Sequence, residues 1–422
     1  RHFDFWPKGV PKQLALPETT LFYNLDVSAA RYPHKNAITY YGANLTYAEL
    51  KTQAEQLAGY LQQDCGVKKG ERVILYMQNS PQFVIAYYAI LRADAVVVPV
   101  NPMNLTEELR HCVSDSGARV AICGQELFPR IGPLLAQGID KIIGANYGEY
   151  VADQSDPSVP DFIRMPAQNQ NVTGVSMWRD ALAAKRTPAP AQAQPDDMCA
   201  MPYTSGTTGK PKGCIHTHRT LMATARLYGV WSGATPEDSS LAVVPFFHIT
   251  GMQVLMNAPI FIGSKMVIMT RWDRELAAQL IAKEKVTTWT NIPTMVIDML
   301  GSPNVNSFDF RSLRSIGGGG AAMPEAVAKR LFELTGLKYM EGYGLTETAA
   351  PTHSNPTDNP KRQCLGIPII NTESYVVSPD TLEEMAQGEV GEIISHGPQV
   401  FKGYWNNPEA TKSSVVQIKG KP

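Results

Sequence analysis

The sequence predicts an α/β chain of two βα-layered subdomains followed by a small β-rich one. Three observations predict it. Short apolar runs alternate with helix-length segments, the rhythm of parallel sheets covered on both faces. The helical segments open on capping signals. After about Gly366 the rhythm changes to short strands broken by turn residues.

Taken in order, Thr46-Tyr47-Ala48-Glu49 reads as a capping box, in which threonine and glutamate satisfy each other's free backbone amides. Leu50, Ala54, Leu57, Ala58 and Leu61 follow at helical spacing. Val73 to Met77 is a strand. Ser80-Pro81 starts another helix, with proline in the first turn where no amide bond is lost. Ala95 to Val100 and Arg119 to Cys123 are further strands. Thr187 to Pro195 holds three prolines and no large apolar side chain, the composition of an exposed connector. The rhythm resumes with Leu241 to Val244, Lys265 to Met269, Val286 to Thr290, Leu313 to Ile316 and Leu337 to Met340. Ser374 to Val377 and Glu389 to Ile394 are the short strands of the last part. The expected divisions are therefore 1–195, 196–365 and 366–422.

A length of 422 residues fits about two or three such units. Hydrophobic residues are 44% and charged residues only 18%, which excludes a disordered chain and requires a large core. Lys plus Arg is 38 against 39 for Asp plus Glu, a net charge of −1. No global field draws this chain to nucleic acid or to an anionic membrane, although a local patch for peripheral membrane contact stays open. Six cysteines are scattered without a C-x-x-C pair, which argues against a disulfide framework or zinc site and for a reducing, cytoplasmic setting. Leu241 to Gly263 is apolar, but Pro245, His248, Gln253, Asn257 and Pro259 interrupt it, so no transmembrane segment is expected. The stretch reads as strand, loop and core helix that also lines a pocket for an apolar substrate. The sequence leaves the oligomeric state open, a dimer included.

The strongest local signal is Tyr203-Thr204-Ser205-Gly206-Thr207-Thr208-Gly209-Lys210-Pro211-Lys212-Gly213. Its glycines permit close backbone approach, its hydroxyls and amides donate to oxyanions, and its lysines add positive charge. This is a cradle for polyphosphate. It is not a Walker A loop, because Lys210 is followed by proline. His216 and His218 would share a strand face as a metal pair does. With no cysteine or carboxylate cluster nearby in sequence, a helix-start role without metal is the stronger reading.

The cradle closely resembles the phosphate loop of the adenylate-forming, AMP-binding superfamily, which includes acyl-CoA synthetases, luciferases and peptide-synthetase adenylation domains. The other motifs follow in the family's order. Phe246-Phe247-His248-Ile249-Thr250-Gly251 resembles its aromatic substrate motif, and Gly319 to Pro324 lies in a run similar to its adenine-contacting loop. Gly342-Tyr343-Gly344-Leu345-Thr346-Glu347 resembles its nucleotide motif, and Gly391-Glu392 through Pro408 the opening of its small β subdomain, a distorted barrel. The resemblance covers nearly the whole chain and is nearest to fatty acyl-CoA synthetases. It implies ATP, Mg²⁺ and CoA, with a carboxylic acid converted to an acyl-adenylate and then to a thioester.

The same resemblance implies the roles. Thr204, Ser205, Thr207, Thr208 and Lys212 would hold the β and γ phosphates, with Gly206, Gly209 and Lys210 completing the loop. Thr346 would donate to the α-phosphate and Glu347 would hold Mg²⁺. Tyr343 would stack on adenine, with Gly318, Gly319, Gly320, Ala321, Gly342 and Gly344 allowing close backbone contact. Thr204, Lys212, Thr346 and Glu347 would be the catalytic set.

His248 stands where the amino-acid-activating branch has an aspartate for the substrate ammonium. A buried ammonium without a carboxylate is costly, so an amino-acid substrate is disfavoured. His248 reads as the neighbour of the reacting carboxylate or a gate to its pocket, with a structural histidine as the alternative. Met252, Val254, Leu255 and Met256 suit an aliphatic chain. A medium- or long-chain fatty acid is the first expectation, and an aryl-CoA ligase of coumarate or benzoate type the second. The family's pattern continues past Pro422 into a Thr-Gly-Asp motif, a hinge and a domain carrying a catalytic lysine. This chain is therefore expected to bind nucleotide weakly and turn over poorly, or to act as a binding core.

Overall fold

The computed structural model describes residues 2–204 and 209–418. Among these residues two open sheets carry the architecture. The seven-stranded sheet runs, in spatial order, His216–Thr217, Met198–Ala200, Val96–Pro99, Arg72–Tyr76, Val120–Gly124, Lys141–Ala145 and Val175–Met177. All neighbours are parallel except the edge strand His216–Thr217. The nine-stranded sheet runs Ile367–Pro368, Ala350–Ser354, Tyr339–Leu345, Ser315–Gly318, Thr288–Asn291, Ser239–Ala242, Lys265–Ile268, Asn36–Tyr40 and Ala43–Thr46. Its centre is parallel and its edges are antiparallel.

Local chemistry accounts for these elements. The Val96–Pro99 strand is buried along its whole length, as a strand covered on both faces must be. Thr46 Oγ1 accepts from the Glu49 amide at 3.2 Å, and Glu49 Oε2 returns to the Thr46 amide at 2.8 Å, completing the capping box of helix Tyr47–Gln63. Leu50, Ala54, Leu57, Ala58 and Leu61 are 0% exposed, so truncating Leu57 to alanine would cost about 2–5 kcal/mol. Ser80 caps helix Pro81–Arg92 through the Phe83 amide. Every residue of that helix from Pro81 to Leu91 is buried, so it is enclosed on all sides rather than amphipathic.

The strands cross the division expected at 195/196 in both directions. Asn36–Thr46 pairs into the sheet of the second half, beside Lys265–Ile268, whereas Met198–Ala200 and His216–Thr217 complete the first sheet. The connector from Thr187 to Pro195 is irregular and largely exposed. In the last part, Glu373–Val377 pairs antiparallel with Glu392–His396. Two strands cannot close on themselves, so among the described residues this part is a two-stranded ribbon and not a distorted barrel.

The topology positions the site. Ser239–Ala242, Thr288–Asn291, Ser315–Gly318 and Tyr339–Leu345 run parallel, so their carboxyl ends emerge on one edge. Open α/β sheets bind ligands at that edge. The Pro245–His248 loop, the glycine run after Ser315 and the Thr346–Thr348 turn all start there.

Candidate active site

A cavity of about 750 Å³ opens at this edge and continues along one face of the nine-stranded sheet. Its mouth is lined by Thr204, His248, Gly318 to Gly320, Gly342 to Gly344, Thr346 and Glu347. Its inner floor is made of small side chains, Ser240, Thr288, Thr290 and Ser315 among them. The lining also includes Tyr228 and Trp231 of helix His218–Trp231 with Ile249, Val254, Leu255, Ala258 and Ile262. The lining thus combines polar and charged groups, Asp238 and Arg314 among them, with an apolar stretch along Ile249, Val254, Leu255, Ala258 and Ile262, in a volume typical of small-molecule sites.

The phosphate cradle is a hairpin: Tyr203–Thr204 pairs antiparallel with Lys212–Gly213. Ser205, Gly206, Thr207 and Thr208 lie outside the described residues. Gly209 and Lys210 are exposed and Lys212 is half-buried. The hairpin base is anchored, since Tyr203 Oη donates to Asp115 Oδ2 at 2.7 Å and His111 Nε2 donates to the Pro211 carbonyl at 2.9 Å.

The nucleotide motif ends the Tyr339–Leu345 strand and turns through Thr346–Thr348. Tyr343 is half-buried on the cavity wall, and burial with the nearby Glu347 and Glu392 raises its pKa. A Cβ on Gly318 would lie 1.8 Å from the Asn291 carbonyl, so strand packing alone demands glycine there. Gly320 holds φ +83°, a left-handed conformation that also favours glycine. Ala321 is exposed and stands off the cavity wall.

Asn79, in the loop after the Arg72–Tyr76 strand, positions the aromatic motif. Its Oδ1 accepts from the Phe246 amide at 2.7 Å and its Nδ2 donates to the Val244 carbonyl at 3.1 Å. His248 caps the next helix, its Nδ1 accepting from the Thr250 amide at 3.2 Å. That bond leaves Nε2 as the neutral ring's donor. The ring meets the open cavity, but crowding by the walls lowers its pKa. Met252 departs from expectation: it is 0% exposed, belongs to the core and does not line the cavity.

Sequence reasoning gave no role to Asn79 or Tyr404, and it read His216 as a helix-start residue, with metal binding as the weaker alternative. The one available signal was position, since Asn79 lies in the short loop between strand Arg72–Tyr76 and helix Pro81–Arg92. His216 Nε2 in fact donates to the Thr346 carbonyl at 2.8 Å, and His218 Nδ1 accepts from the Leu21 amide at 3.1 Å. Among the described residues no group of three or more His, Cys, Asp or Glu side chains could hold a metal. No described helix is long and apolar enough to cross a membrane.

A parallel α/β sheet with phosphate hairpin, glycine run and nucleotide motif gathered at one edge defines a nucleotide-binding enzyme. Residues 25–405 match the AMP-binding enzyme family, and the chain belongs to it. It is 34% identical over 420 residues to the long-chain-fatty-acid–CoA ligase of Bacillus subtilis, covering 96% of this chain and 74% of that one. It is 31% identical over 383 residues to the feruloyl-CoA synthase of an Amycolatopsis species, covering 90% of this chain and 70% of that one. The crystal structure of ATP-bound MatB from Rhodopseudomonas palustris shares its fold with a TM-score of 0.82 at 27% identity, covering 95% of this chain and 74% of that one.

Proposed function

We propose that this protein is an AMP-forming acid–thiol ligase that activates a medium- or long-chain fatty acid with ATP and transfers it to CoA. The observation that carries the reading is that one cavity is lined both by Thr204, Thr346 and Glu347 and by Val254, Leu255, Ala258 and Ile262. A carboxylate end and a hydrocarbon tail would each find a matching wall.

The chemistry needs no protein nucleophile. The substrate carboxylate attacks the α-phosphorus of ATP, pyrophosphate leaves, and the CoA thiol then displaces AMP from the acyl carbon. The protein supplies positioning and charge neutralisation. In this reading Thr204, Ser205, Thr207, Thr208 and Lys212 hold the β and γ phosphates, and Gly206, Gly209 and Lys210 let the backbone approach. Thr346 donates to the α-phosphate, and Tyr343 stacks on adenine above the Gly318–Gly320 backbone. His248, with Nε2 as donor, orients the carboxylate at the mouth beside Gly344.

Mg²⁺ fits Glu347. The cation is usually held by one or two carboxylates together with substrate phosphates and water, not by a protein cage. Glu347 offers one carboxylate on the cavity wall, and no larger cluster surrounds it among the described residues. The ion would supply charge neutralisation for the phosphates. All six cysteines are free, which supports a reducing, cytoplasmic setting and a place in lipid metabolism.

The test is pyrophosphate exchange into ATP with a panel of carboxylic acids. Exchange dependent on C8 to C18 fatty acids is expected. The likeness to the feruloyl-CoA synthase makes cinnamic acids the second arm, and exchange with those alone would assign an aryl-CoA ligase. Exchange driven by amino acids would refute both.

A further inference from the structure

Phe401 to Trp405 form a strap between the phosphate hairpin and the nucleotide motif. On the hairpin side, the Trp405 amide donates to the Gly213 carbonyl at 2.8 Å, the Lys402 amide to Ile215 at 2.9 Å, and the Ile215 amide to Gly403 at 2.9 Å. On the other side, the Phe401 amide donates to the Glu347 carbonyl at 2.8 Å. The backbone thus joins two motifs more than a hundred residues apart in the chain.

Tyr404 joins their side chains as well. Its hydroxyl donates to Glu347 Oε1 at 2.5 Å, and the Lys212 Nζ lies 4.3 Å from the centre of its ring. The residue is itself fixed. It is 7% exposed, its amide donates to Thr411 Oγ1 at 2.9 Å, and Phe401 packs edge-on with centroids 4.9 Å apart. Among the described residues, Lys212 and Glu347 form no ion pair with each other.

A neutral phenol suits this place for a physical reason. A charged hydrogen-bond donor would hold the carboxylate but cancel its charge. A phenol hydroxyl fixes the rotamer and leaves the anion free to meet a cation. The ring face attracts the ammonium in the same way, without a counter-charge.

We propose that Tyr404 is a positioning residue that holds Glu347 for the metal and Lys212 for the phosphates, and keeps the two from neutralising each other. This rests on the reading above, in which Glu347 meets Mg²⁺ and Lys212 meets phosphate. Tyr404→Phe keeps the ring and removes the hydroxyl; Tyr404→Leu removes both. Each is measured in the holoenzyme by the half-saturating Mg²⁺ for pyrophosphate exchange, by Mn²⁺ binding in the presence of a non-hydrolysable ATP analogue, and by the KM for ATP at saturating Mg²⁺.

Tyr404→Phe is expected to raise half-saturating Mg²⁺ and weaken Mn²⁺ binding by about three- to tenfold, with the KM for ATP unchanged. Tyr404→Leu is expected to raise both constants. Unchanged metal constants in Tyr404→Phe, tighter metal binding, or a rate loss equal at all Mg²⁺ concentrations would overturn the proposal. Tyr404→Phe preserves the packing and decides the matter even if Tyr404→Leu does not fold. Glu347→Gln separates the two levels: if it leaves the metal constants unmoved, the underlying reading fails; if it moves them and Tyr404→Phe does not, only the positioning role fails.

Discussion

His216 donates its Nε2 proton to the Thr346 carbonyl across 2.8 Å, tying the strand that leaves the phosphate hairpin to the turn that carries Glu347. The ring is fully buried, and its Nδ1 lies 3.1 Å from Thr220 Oγ1. Burial lowers its pKa to about 4, so the imidazole is neutral at working pH and its single proton is committed to the carbonyl.

His216→Leu should release Thr346 from this tether. A misplacement of about 1 Å near reacting groups costs about a hundredfold in rate, so acid-dependent pyrophosphate exchange is expected to fall by about 10- to 100-fold. His216→Gln, which restores a donor, should recover part of the loss. Equal rates for Leu and Gln would show that the hydrogen bond has no role.

Three buried histidines set the acid side of the stability profile. His216, His218 and His353 each have a pKa lowered to about 4, in every case chiefly by burial. The unfolded chain binds those protons near pH 6.5, so their contribution is complete above that value. It declines as pH falls toward 4, by up to about 1.4 kcal/mol per pH unit for each ring. Glu126 acts in the opposite sense, because burial raises its carboxyl pKa to about 7 and favours folding at lower pH. Burial also lowers the His248 pKa and raises that of Glu149, so four histidines oppose two carboxyls, and thermal melting followed by circular dichroism should show Tm falling from pH 7 to pH 5. His218→Asn should flatten that slope.

Local chemistry was legible in the chain and long-range pairing was not. The Thr46–Glu49 box and the apolar run around Val96–Pro99 depend on neighbours a few residues away, and both stand as expected. Asn36–Tyr40 was missed because its partners, Met266 to Ile268, lie more than two hundred residues along the chain. Met252 was taken for a pocket residue because spacing cannot tell which face of a wholly apolar segment meets a cavity. It ends the short helix Ile249–Met252 and packs in the core with Met256, whereas Val254, Leu255 and Ala258, in and after the π-helical turn Gln253–Asn257, reach the cavity. Tyr404 meets Glu347 across 57 residues, a contact that spacing cannot reveal.

Asn79 makes a comparable link between the sheets. Removing its amide leaves the Phe246 amide and the Val244 carbonyl without their partner. Asn79→Ala is therefore expected to cost about 1–3 kcal/mol of stability. The KM for the acid should rise as well, because the Pro245–His248 loop loses its anchor. Chemical denaturation and steady-state kinetics would measure the two effects. A stability loss with an unaltered KM would confine Asn79 to folding.

Tyr343 tests the nucleotide end of the cavity. Tyr343→Phe retains the ring and should leave the KM for ATP within about twofold, whereas Tyr343→Ala removes a stacking surface worth about 1–3 kcal/mol per base. An increase of about 10- to 100-fold in the KM for ATP is expected for alanine, with the KM for the acid little changed. Equal effects of Phe and Ala would point to the hydroxyl instead.

Ala258 tests the apolar end. It opens helix Ala258–Ile262 and lines the same cavity as Leu255, Ile262, Ser240 and Thr288. Among the large neighbours Tyr228, Leu255 and Ile262, Ala258 is a position where the lining side chain is short. A phenyl ring at position 258 would project into the same space that a substrate chain must use, while the mouth near His248 and Thr346 would keep its geometry. Each methylene excluded from an apolar pocket costs about 1–3 kcal/mol of transition-state binding. Ala258→Phe should therefore lower kcat/KM for palmitic acid by at least about tenfold, yet leave hexanoic acid within about threefold. Uniform losses across chain lengths, with an unchanged Tm, would mean that the hydrocarbon tail does not run along this wall.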